Sequence, residues 1–158
     1  MKRKIVYLNT SVLGGCFDDE FKEDSLALMK HIKLGIYAGM ISTTTEKELV
    51  GAPEHVRALV DEFDEDDLMR VSTSPAVAAL AEAYLAAKVV PPNSKEDAAH
   101  IAFATVCGAD VLASWNFKHI VNLRRIEDFN AVNLHEGYRA IEIRTPKELI
   151  DGNEEEGF

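Results

Sequence analysis

The chain has 158 residues, of which 47% are hydrophobic and 28% charged, and its formal net charge is −10. This length predicts one domain with a sizeable core, and the composition is that of an ordinary globular protein. The acidic balance argues against a broad nucleic-acid-binding face, which would be basic, but a local basic rim could still hold phosphate while the rest of the surface is acidic.

The N-terminus predicts a strand rather than a signal peptide. Residues 1–4 (MKRK) are basic, but the apolar stretch at residues 5–8 is shorter than the roughly 7–15 residues that a signal peptide needs. Elsewhere no apolar run approaches the ~20 residues of a transmembrane helix. We therefore expect a strand at residues 4–8 and a cytoplasmic protein without a membrane partner.

The first half of the chain alternates short apolar runs with helical patterns. The apolar residues of segment 21–34 recur at the spacing of an amphipathic helix. Gly35 and Gly39 are expected to flank a turn into a short second strand at residues 40–41. Helices are predicted at residues 21–34, 45–50 and 54–63, and a third strand at residues 68–71.

The second half continues this alternation. Ser74 and Ser94 are the expected caps of two helices, and the second helix is apolar nearly all round, which indicates burial. Helices are predicted at residues 75–88, 95–107 and from 117 onward, and strands at residues 111–113 and 140–143. The order predicts an α/β fold, a three-layer sandwich with a mostly parallel central sheet. We expect this domain to cover residues 1–150, followed by an acidic C-terminal tail at 151–158.

Four polar residues lie where predicted strands end or helices begin. Asn9 follows the first strand, and Glu48 lies one turn into the helix after the second. Asp97 is the third residue of the helix that Ser94 precedes, and Asn116 follows the strand at 111–113. Because ligands of such sheets bind at the carboxyl ends of the strands, we expect these side chains to converge.

Four segments contain these residues in a recurring pattern: residues 6–13 (VYLNTSVL), 41–49 (ISTTTEKEL), 97–102 (DAAHIA) and 109–119 (ADVLASWNFKH). In order and spacing they resemble the PIN-domain family, which includes the ribonuclease toxins of bacterial toxin–antitoxin pairs. The family has a strand ending in Asp-Thr-Ser/Asn, a glutamate before a leucine, an Asp-Ala-x-Ile-Ala helix, and a strand ending in Thr/Ser-x-Asp or Asn. The resemblance extends from residue 4 to about residue 120 and implies a PIN-like sandwich.

The resemblance also implies an activity, hydrolysis of RNA phosphodiester bonds with Mg²⁺ or Mn²⁺. The catalytic residues and metal ligands that it implies are Asn9, Glu48, Asp97 and Asn116. We further expect RNA contacts from Ser11, Ser114, Lys118 and His119. An antitoxin protein and a homodimer are partners implied by the resemblance alone.

Asn9 departs from the family pattern, which usually has an aspartate at this position. An asparagine supplies a carbonyl oxygen but no charge, so the expected metal site is weakened. The alternative function is a catalytically silent PIN-like domain that serves as an RNA- or protein-binding module. A receiver or flavodoxin-like domain is disfavoured, because Asn9 has no acidic neighbour and no lysine ends the last predicted strand near Ile143.

Each candidate also has a simpler structural interpretation. Asp97 is a suitable capping partner for Ser94, Glu48 alone is an ordinary surface glutamate, and Asn9 alone is a turn residue. The histidine one turn after Asp97, His100, is favoured as a satisfied core residue over a ligand.

Several other residues have competing interpretations. Trp115 is favoured as a packing residue over a platform for base stacking. The basic pair at residues 124–125 is expected to pair with Glu127 and Asp128 rather than to contact phosphate. Cys16 and Cys107 lack the spacing of a metal or disulfide motif, so we expect both to be reduced.

Overall fold

A five-stranded parallel sheet forms the centre of the structure, a computed structural model that describes the backbone of residues 2–156 and the side chains of residues 2–151. The strands are β1 Lys4–Leu8, β2 Tyr37–Ser42, β3 Leu68–Val71, β4 Val111–Ala113 and β5 Glu142–Arg144. They lie in the order β3-β2-β1-β4-β5, and every neighbouring pair is parallel. The expected α/β fold with a parallel sheet is therefore confirmed.

Helices cover both faces of this sheet. In the described residues they are α1 Thr10–Gly15, α2 Lys22–Lys33, α3 Thr43–Val50, α4 Glu54–Val60, α5 Pro75–Ala86, α6 Lys95–Val106, α7 Leu123–His135 and α8 Pro146–Glu156. Strand residues alternate between two apolar cores, because successive side chains of a strand point to opposite faces. In β1, Val6 and Leu8 pack with residues of α1, α2 and α4, whereas Tyr7 packs with residues of α5, α6 and α7.

Gly39 lies inside β2 rather than at the predicted turn before it. A Cβ atom at this position would lie 2.9 Å from Cδ1 of Leu68 in β3. The absence of a side chain therefore allows a close approach of the leucine, and the strand extends on both sides of the two residues that the sequence predicted.

The segment that follows β4 is a turn, not the helix that the sequence predicted from residue 117. Asn122 makes three hydrogen bonds there. Its Nδ2 donates to the carbonyl oxygens of Phe117 at 2.8 Å and Lys118 at 3.1 Å, and its Oδ1 accepts from the N–H of Arg125 at 3.0 Å. One side chain thus closes the turn and caps α7, which begins at Leu123.

Three smaller differences concern the ends of elements. Ser94 precedes α6 but makes no capping hydrogen bond with its side chain. β5 begins two residues later than predicted, at Glu142. The helix α8 crosses residue 150, so the predicted acidic tail continues a helix as far as it is described. None of the helices in the described residues is long and apolar enough to cross a membrane.

Candidate active site at the carboxyl edge of the sheet

Asn9 follows β1 directly and begins α1 as its N-cap. Its side-chain carbonyl Oδ1 accepts three hydrogen bonds, from the hydroxyl of Ser11 at 2.6 Å, the N–H of Ser11 at 3.3 Å and the hydroxyl of Ser114 at 3.1 Å. The residue is buried, yet Nδ2 donates to no described residue. The carbonyl is therefore occupied, while a buried donor remains unpaired.

Glu48 lies on α3 and is held by residues of two other elements. Its Oε1 accepts from the hydroxyl of Thr10 at 2.8 Å and lies 2.5 Å from Nε2 of His100. A carboxylate only accepts, so this ring nitrogen carries the hydrogen. The other ring nitrogen, Nδ1, lies 2.7 Å from the buried hydroxyl of Tyr7. No described residue hydrogen-bonds the second oxygen, Oε2.

Asp97 is oriented by the segment that follows β4. Its Oδ1 accepts from Nδ2 of Asn116 at 3.3 Å, and its Oδ2 lies 3.1 Å from Nδ1 of His119. The carbonyl of the Asn116 side chain accepts in turn from the N–H of His119 at 3.0 Å. Ser94 Oγ lies 3.3 Å from the same His119 nitrogen, so this serine contacts the site histidine instead of capping α6.

The two carboxyl groups differ in their electrostatic environment. Burial raises the pKa of Glu48, but hydrogen bonds from His100 and Thr10 and the attraction to His100 outweigh burial and hold the pKa below its ordinary value. Burial raises the pKa of Asp97 above its ordinary value, because the hydrogen bond and attraction to His119 offset it only partly. The charge of Glu48 raises the pKa of Asp97 further.

Continuous contacts therefore join the four residues that the sequence singled out. Asn9 connects through Ser114 to Asn116, since the hydroxyl of Ser114 donates to Asn9 and accepts from the N–H of Asn116 at 2.9 Å. Thr10, the residue after Asn9, donates a hydrogen bond from its hydroxyl to the carboxylate of Glu48. The side-chain amide of Asn116 donates a hydrogen bond to the carboxylate of Asp97.

The four residues that were expected to contact RNA fall into two groups. Ser11, Ser114 and His119 belong to the hydrogen-bonded network, where they contact other site residues. Lys118 is exposed on the turn before α7 and makes no side-chain contact with the network.

Trp115 packs beneath this edge of the sheet, as the sequence favoured. Its indole N–H donates to Ser25 at 2.8 Å, and its ring stacks on Phe21 with the ring centroids 4.4 Å apart. Its backbone N–H donates to the hydroxyl of Ser11 at 3.0 Å, which ties the packing to Asn9. A Cβ on Gly15 would lie 2.7 Å from Ser25 Oγ, so the α1 backbone approaches this cluster closely.

His100 and Tyr7 are the site residues that sequence reasoning did not assign a role. His100 is buried and satisfied, as the sequence favoured, but one of its partners is the carboxylate of Glu48. The sequence did contain one indication that His100 belongs to the site. It lies three residues after Asp97, and this spacing places both side chains on one face of α6.

The donor atoms fit a divalent cation bound mainly by two carboxylates. Mg²⁺ is commonly held by one or two carboxylates, with waters and substrate phosphate completing the coordination. Glu48 has a free oxygen, whereas the Asn9 and Asn116 carbonyls already accept hydrogen bonds. No group of three or more His, Cys, Asp or Glu side chains is arranged for a metal within the part of the chain that the structure describes.

Two solved structures share this architecture. A chain of VapBC2 from Rickettsia felis, crystallised with a fragment of promoter DNA, is 14% identical with a TM-score of 0.53 over 89% of this chain and 98% of its own. A chain of DNA-bound VapBC from Salmonella typhimurium is 18% identical with a TM-score of 0.54 over 92% and 99%. No protein-family model matches the sequence, and no curated protein matches it. The chain therefore has the α/β fold of VapC-like PIN domains.

Proposed function

We propose that this protein is a metal-dependent ribonuclease that hydrolyses phosphodiester bonds of RNA. The observation that carries the proposal is the placement of Glu48 and Asp97. Both are partly buried carboxyl groups at the carboxyl edge of a PIN-like parallel sheet, and each is oriented by a histidine. Ligands of open α/β sheets bind at this edge.

Within this proposal, Glu48 and Asp97 hold Mg²⁺ or Mn²⁺. A bound divalent ion lowers the pKa of its water and offsets the negative charge of the phosphate. The hydrogen bond from His100 orients the Glu48 carboxylate and leaves its Oε2 free. Contacts with His119 and Asn116 orient the Asp97 carboxylate. Orienting both carboxylates beforehand reduces the reorganisation that is needed when substrate binds.

Asn9 and Asn116 have a positioning role in this scheme. The Asn9 carbonyl holds Ser11 and Ser114, which in turn bind the backbone N–H groups of Trp115 and Asn116. The unpaired Nδ2 of Asn9 is a suitable donor for a phosphate oxygen, because a buried polar group normally has a partner. Coordination of the ion by either amide oxygen stays a prediction.

The partners in this proposal are an antitoxin protein and a second copy of the chain. The similar chains come from VapBC complexes that contain DNA, and the shared fold supports the inference of a toxin–antitoxin toxin. The formal charge of −10 favours an antitoxin whose contacting segment is basic.

The test compares cleavage of single-stranded RNA with Mn²⁺ by the wild type, Glu48→Gln and Asp97→Asn. We expect each variant to lose at least ~100-fold in rate. Glu46→Gln is the matched control, because Glu46 lies on the same helix but pairs with Arg70 at 3.5 Å, away from the network. Wild-type activity in Glu48→Gln would exclude this site as the source of cleavage.

A binding module is the second candidate function, and the unpaired Nδ2 of Asn9 is the observation that favours it. An amide donates to a phosphate oxygen without supplying charge for a cation. In this case the wild type binds RNA without cutting it, and Asn9→Ala weakens binding while added Mn²⁺ leaves it unchanged. Fluorescence anisotropy with a labelled RNA separates the two functions.

A further inference from the structure

A basic cavity of about 500 Å³ lies between the end of α5 and the first turn of α7. Its lining contains three bases, Lys88, Arg124 and Arg125, and one acid, Asp128. The chain as a whole has 17 lysines and arginines against 27 acids. The excess of positive charge is therefore a local feature, and the volume falls in the range of ligand sites, roughly 300–1,000 Å³.

The charge of these bases is offset only partly within the cavity, where Asp128 is the one acid in the lining. The sequence favoured pairing of residues 124 and 125 with Glu127 and Asp128, and that expectation is wrong. Neither arginine nor Lys88 forms an ion pair with a described side chain. Arg124 is exposed, and Arg125 donates from Nη1 to the carbonyl oxygen of Val89, which fixes the loop that forms one wall.

Lys88 adopts a backbone conformation that a lysine rarely takes. Its φ is 59°, in the left-handed region, and it directly follows Ala87, the C-cap of α5. Glycine is the usual residue at this position after a helix, because a Cβ atom is disfavoured there. The lysine therefore adds a cation to the cavity at a cost in conformational energy.

The cavity is connected to the candidate active site along both of its walls. The loop containing Pro91 and Pro92 leads to Ser94 and then to Asp97. Arg124 follows His119 by five residues, and Ser94 and His119 are in contact. Neither Asp97 nor His119 lines the cavity itself, so the two sites are adjacent but distinct.

We propose that this cavity binds backbone phosphates of a single RNA strand next to the bond that is cut, an inference that rests on the proposed ribonuclease function. Guanidinium groups bind phosphate oxygens through two parallel hydrogen bonds. The apolar wall of Leu85, Val90 and the two prolines offers no base-specific hydrogen bonds. The cavity therefore adds affinity and fixes the direction of the strand without reading its sequence.

The test measures binding of a fluorescein-labelled single-stranded RNA by anisotropy in EDTA, which prevents metal-dependent cleavage, at several salt concentrations. Each phosphate contact contributes about 0.7 to the slope of log K against log salt for single strands. Arg124→Gln should lower the slope by that amount, which corresponds to about fivefold weaker binding at ~0.1 M salt. Lys88→Gly should lower the slope equally while its thermal unfolding midpoint stays the same or rises.

Arg139→Gln is the matched control. Arg139 is an exposed arginine near the beginning of β5, and it lines a different basic cavity with Arg3 and Lys4 at the opposite edge of the sheet. Its loss removes the same charge from the protein, so wild-type binding is expected. Equal weakening by both arginine variants would overturn the proposal, because the effect would then reflect net charge.

Other outcomes separate this proposal from the proposed function. If Arg124→Gln binds RNA like the wild type while Asp97→Asn abolishes cleavage, the phosphate subsite is overturned and the ribonuclease stands. If the cavity variants lose RNA binding and the wild type cuts nothing, the cavity is a phosphate site of an RNA-binding module and the ribonuclease fails. If Arg124→Gln keeps its affinity for RNA but loses affinity for a glutamate-rich peptide, the cavity is a peptide site.

Discussion

Asn9 illustrates how one side chain supports the site without supplying charge. Its carbonyl accepts from two serines that belong to different segments, so it joins the end of β1 to the end of β4. Its amide nitrogen is buried without a partner in the described residues. An aspartate at this position would still accept the hydrogen bonds from the two serines, and it would have a charged oxygen in place of the unpaired amide donor.

Asn9→Asp should therefore strengthen Mn²⁺ binding and RNA cleavage together. The side chains are nearly isosteric, and a third carboxylate adds negative charge opposite the ion. A tenfold gain in rate requires only about 1.4 kcal/mol of additional transition-state stabilisation. Calorimetric titration and RNA cleavage are the measurements, with Asp97→Asn as the blank that should bind and cut less than either form. Better metal binding without any cleavage would favour the binding module.

Glu48→Gln and Asp97→Asn should change stability in opposite directions at neutral pH. The lowered pKa of Glu48 means that its ionised form stabilises the fold above the ordinary glutamate pKa, so Glu48→Gln should cost about 1 kcal/mol. The raised pKa of Asp97 means that its ionised form is disfavoured by folding, so Asp97→Asn should stabilise. Both differences should shrink as the pH falls and these carboxyl groups become protonated in the wild type. Urea unfolding at a series of pH values, from neutral to acidic, measures both stability differences, with Glu46→Gln as the control.

The residues of the site were predictable to different degrees. Asn9, Glu48, Asp97 and Asn116 follow strands or begin helices, so the topology rule for parallel sheets was enough to group them. The roles of His100 and Tyr7 were not predictable from the sequence. The hydrogen-bond partners of His100 are Tyr7 and Glu48, and only the packing of β1, α3 and α6 brings these residues together.

At the scale of elements, the start of α7 was the poorest sequence prediction. Residues 117–122 contain apolar residues at helical spacing, but Asn122 bonds two preceding carbonyls as well as a following N–H. These side-chain hydrogen bonds compete with a helical backbone in this segment, so the turn ends and the helix begins at Asn122. Strands β1, β3 and β4 were predicted at their actual bounds, because each is a short, mainly apolar segment that ends before a polar residue.

Asn122→Ala should destabilise the protein by about 1–2 kcal/mol, because the cap of α7 and both turn hydrogen bonds are lost. Asn122→Asp should recover most of the capping contribution and leave the Phe117 and Lys118 carbonyls without their donor. Urea unfolding midpoints measure both effects. Equal losses in the two variants would show that the turn, and not the helix cap, dominates.

At the scale of the whole molecule, the two apolar cores give the two cysteines different surroundings. Cys16 belongs to the core beneath α1 and α2, and burial raises the pKa of its thiol to about 12. Cys107 ends α6 and is partly exposed, and burial raises its pKa as well. Both thiols are free, as the sequence predicted.

Iodoacetamide should therefore label Cys107 in the native protein and Cys16 only after unfolding, because the thiolate is the reactive form and Cys16 is inaccessible. Mass spectrometry of labelled peptides measures both rates. Mn²⁺ should slow labelling of Cys16 in the wild type, since a ligand that binds the native state stabilises it. The same slowing in Asp97→Asn would place the ion elsewhere.

The overall fold was predictable because the order of strands and helices admits few arrangements. The alternation of apolar runs indicated a parallel sheet, and the sheet determined the edge where polar residues meet. The basic cavity was not predictable, because it depends on how closely the end of α5 packs beside α7.

The order of the strands also determines when this site can exist during synthesis. Its residues come from segments around positions 9, 48, 97 and 116, and β1 must pair with both β2 and β4 before they meet. Such non-local pairing forms late in folding. A nascent chain that has not yet released β4 from the ribosome therefore contains both carboxylates but no assembled site, so the candidate site can be complete only after the segment around residue 116 has emerged.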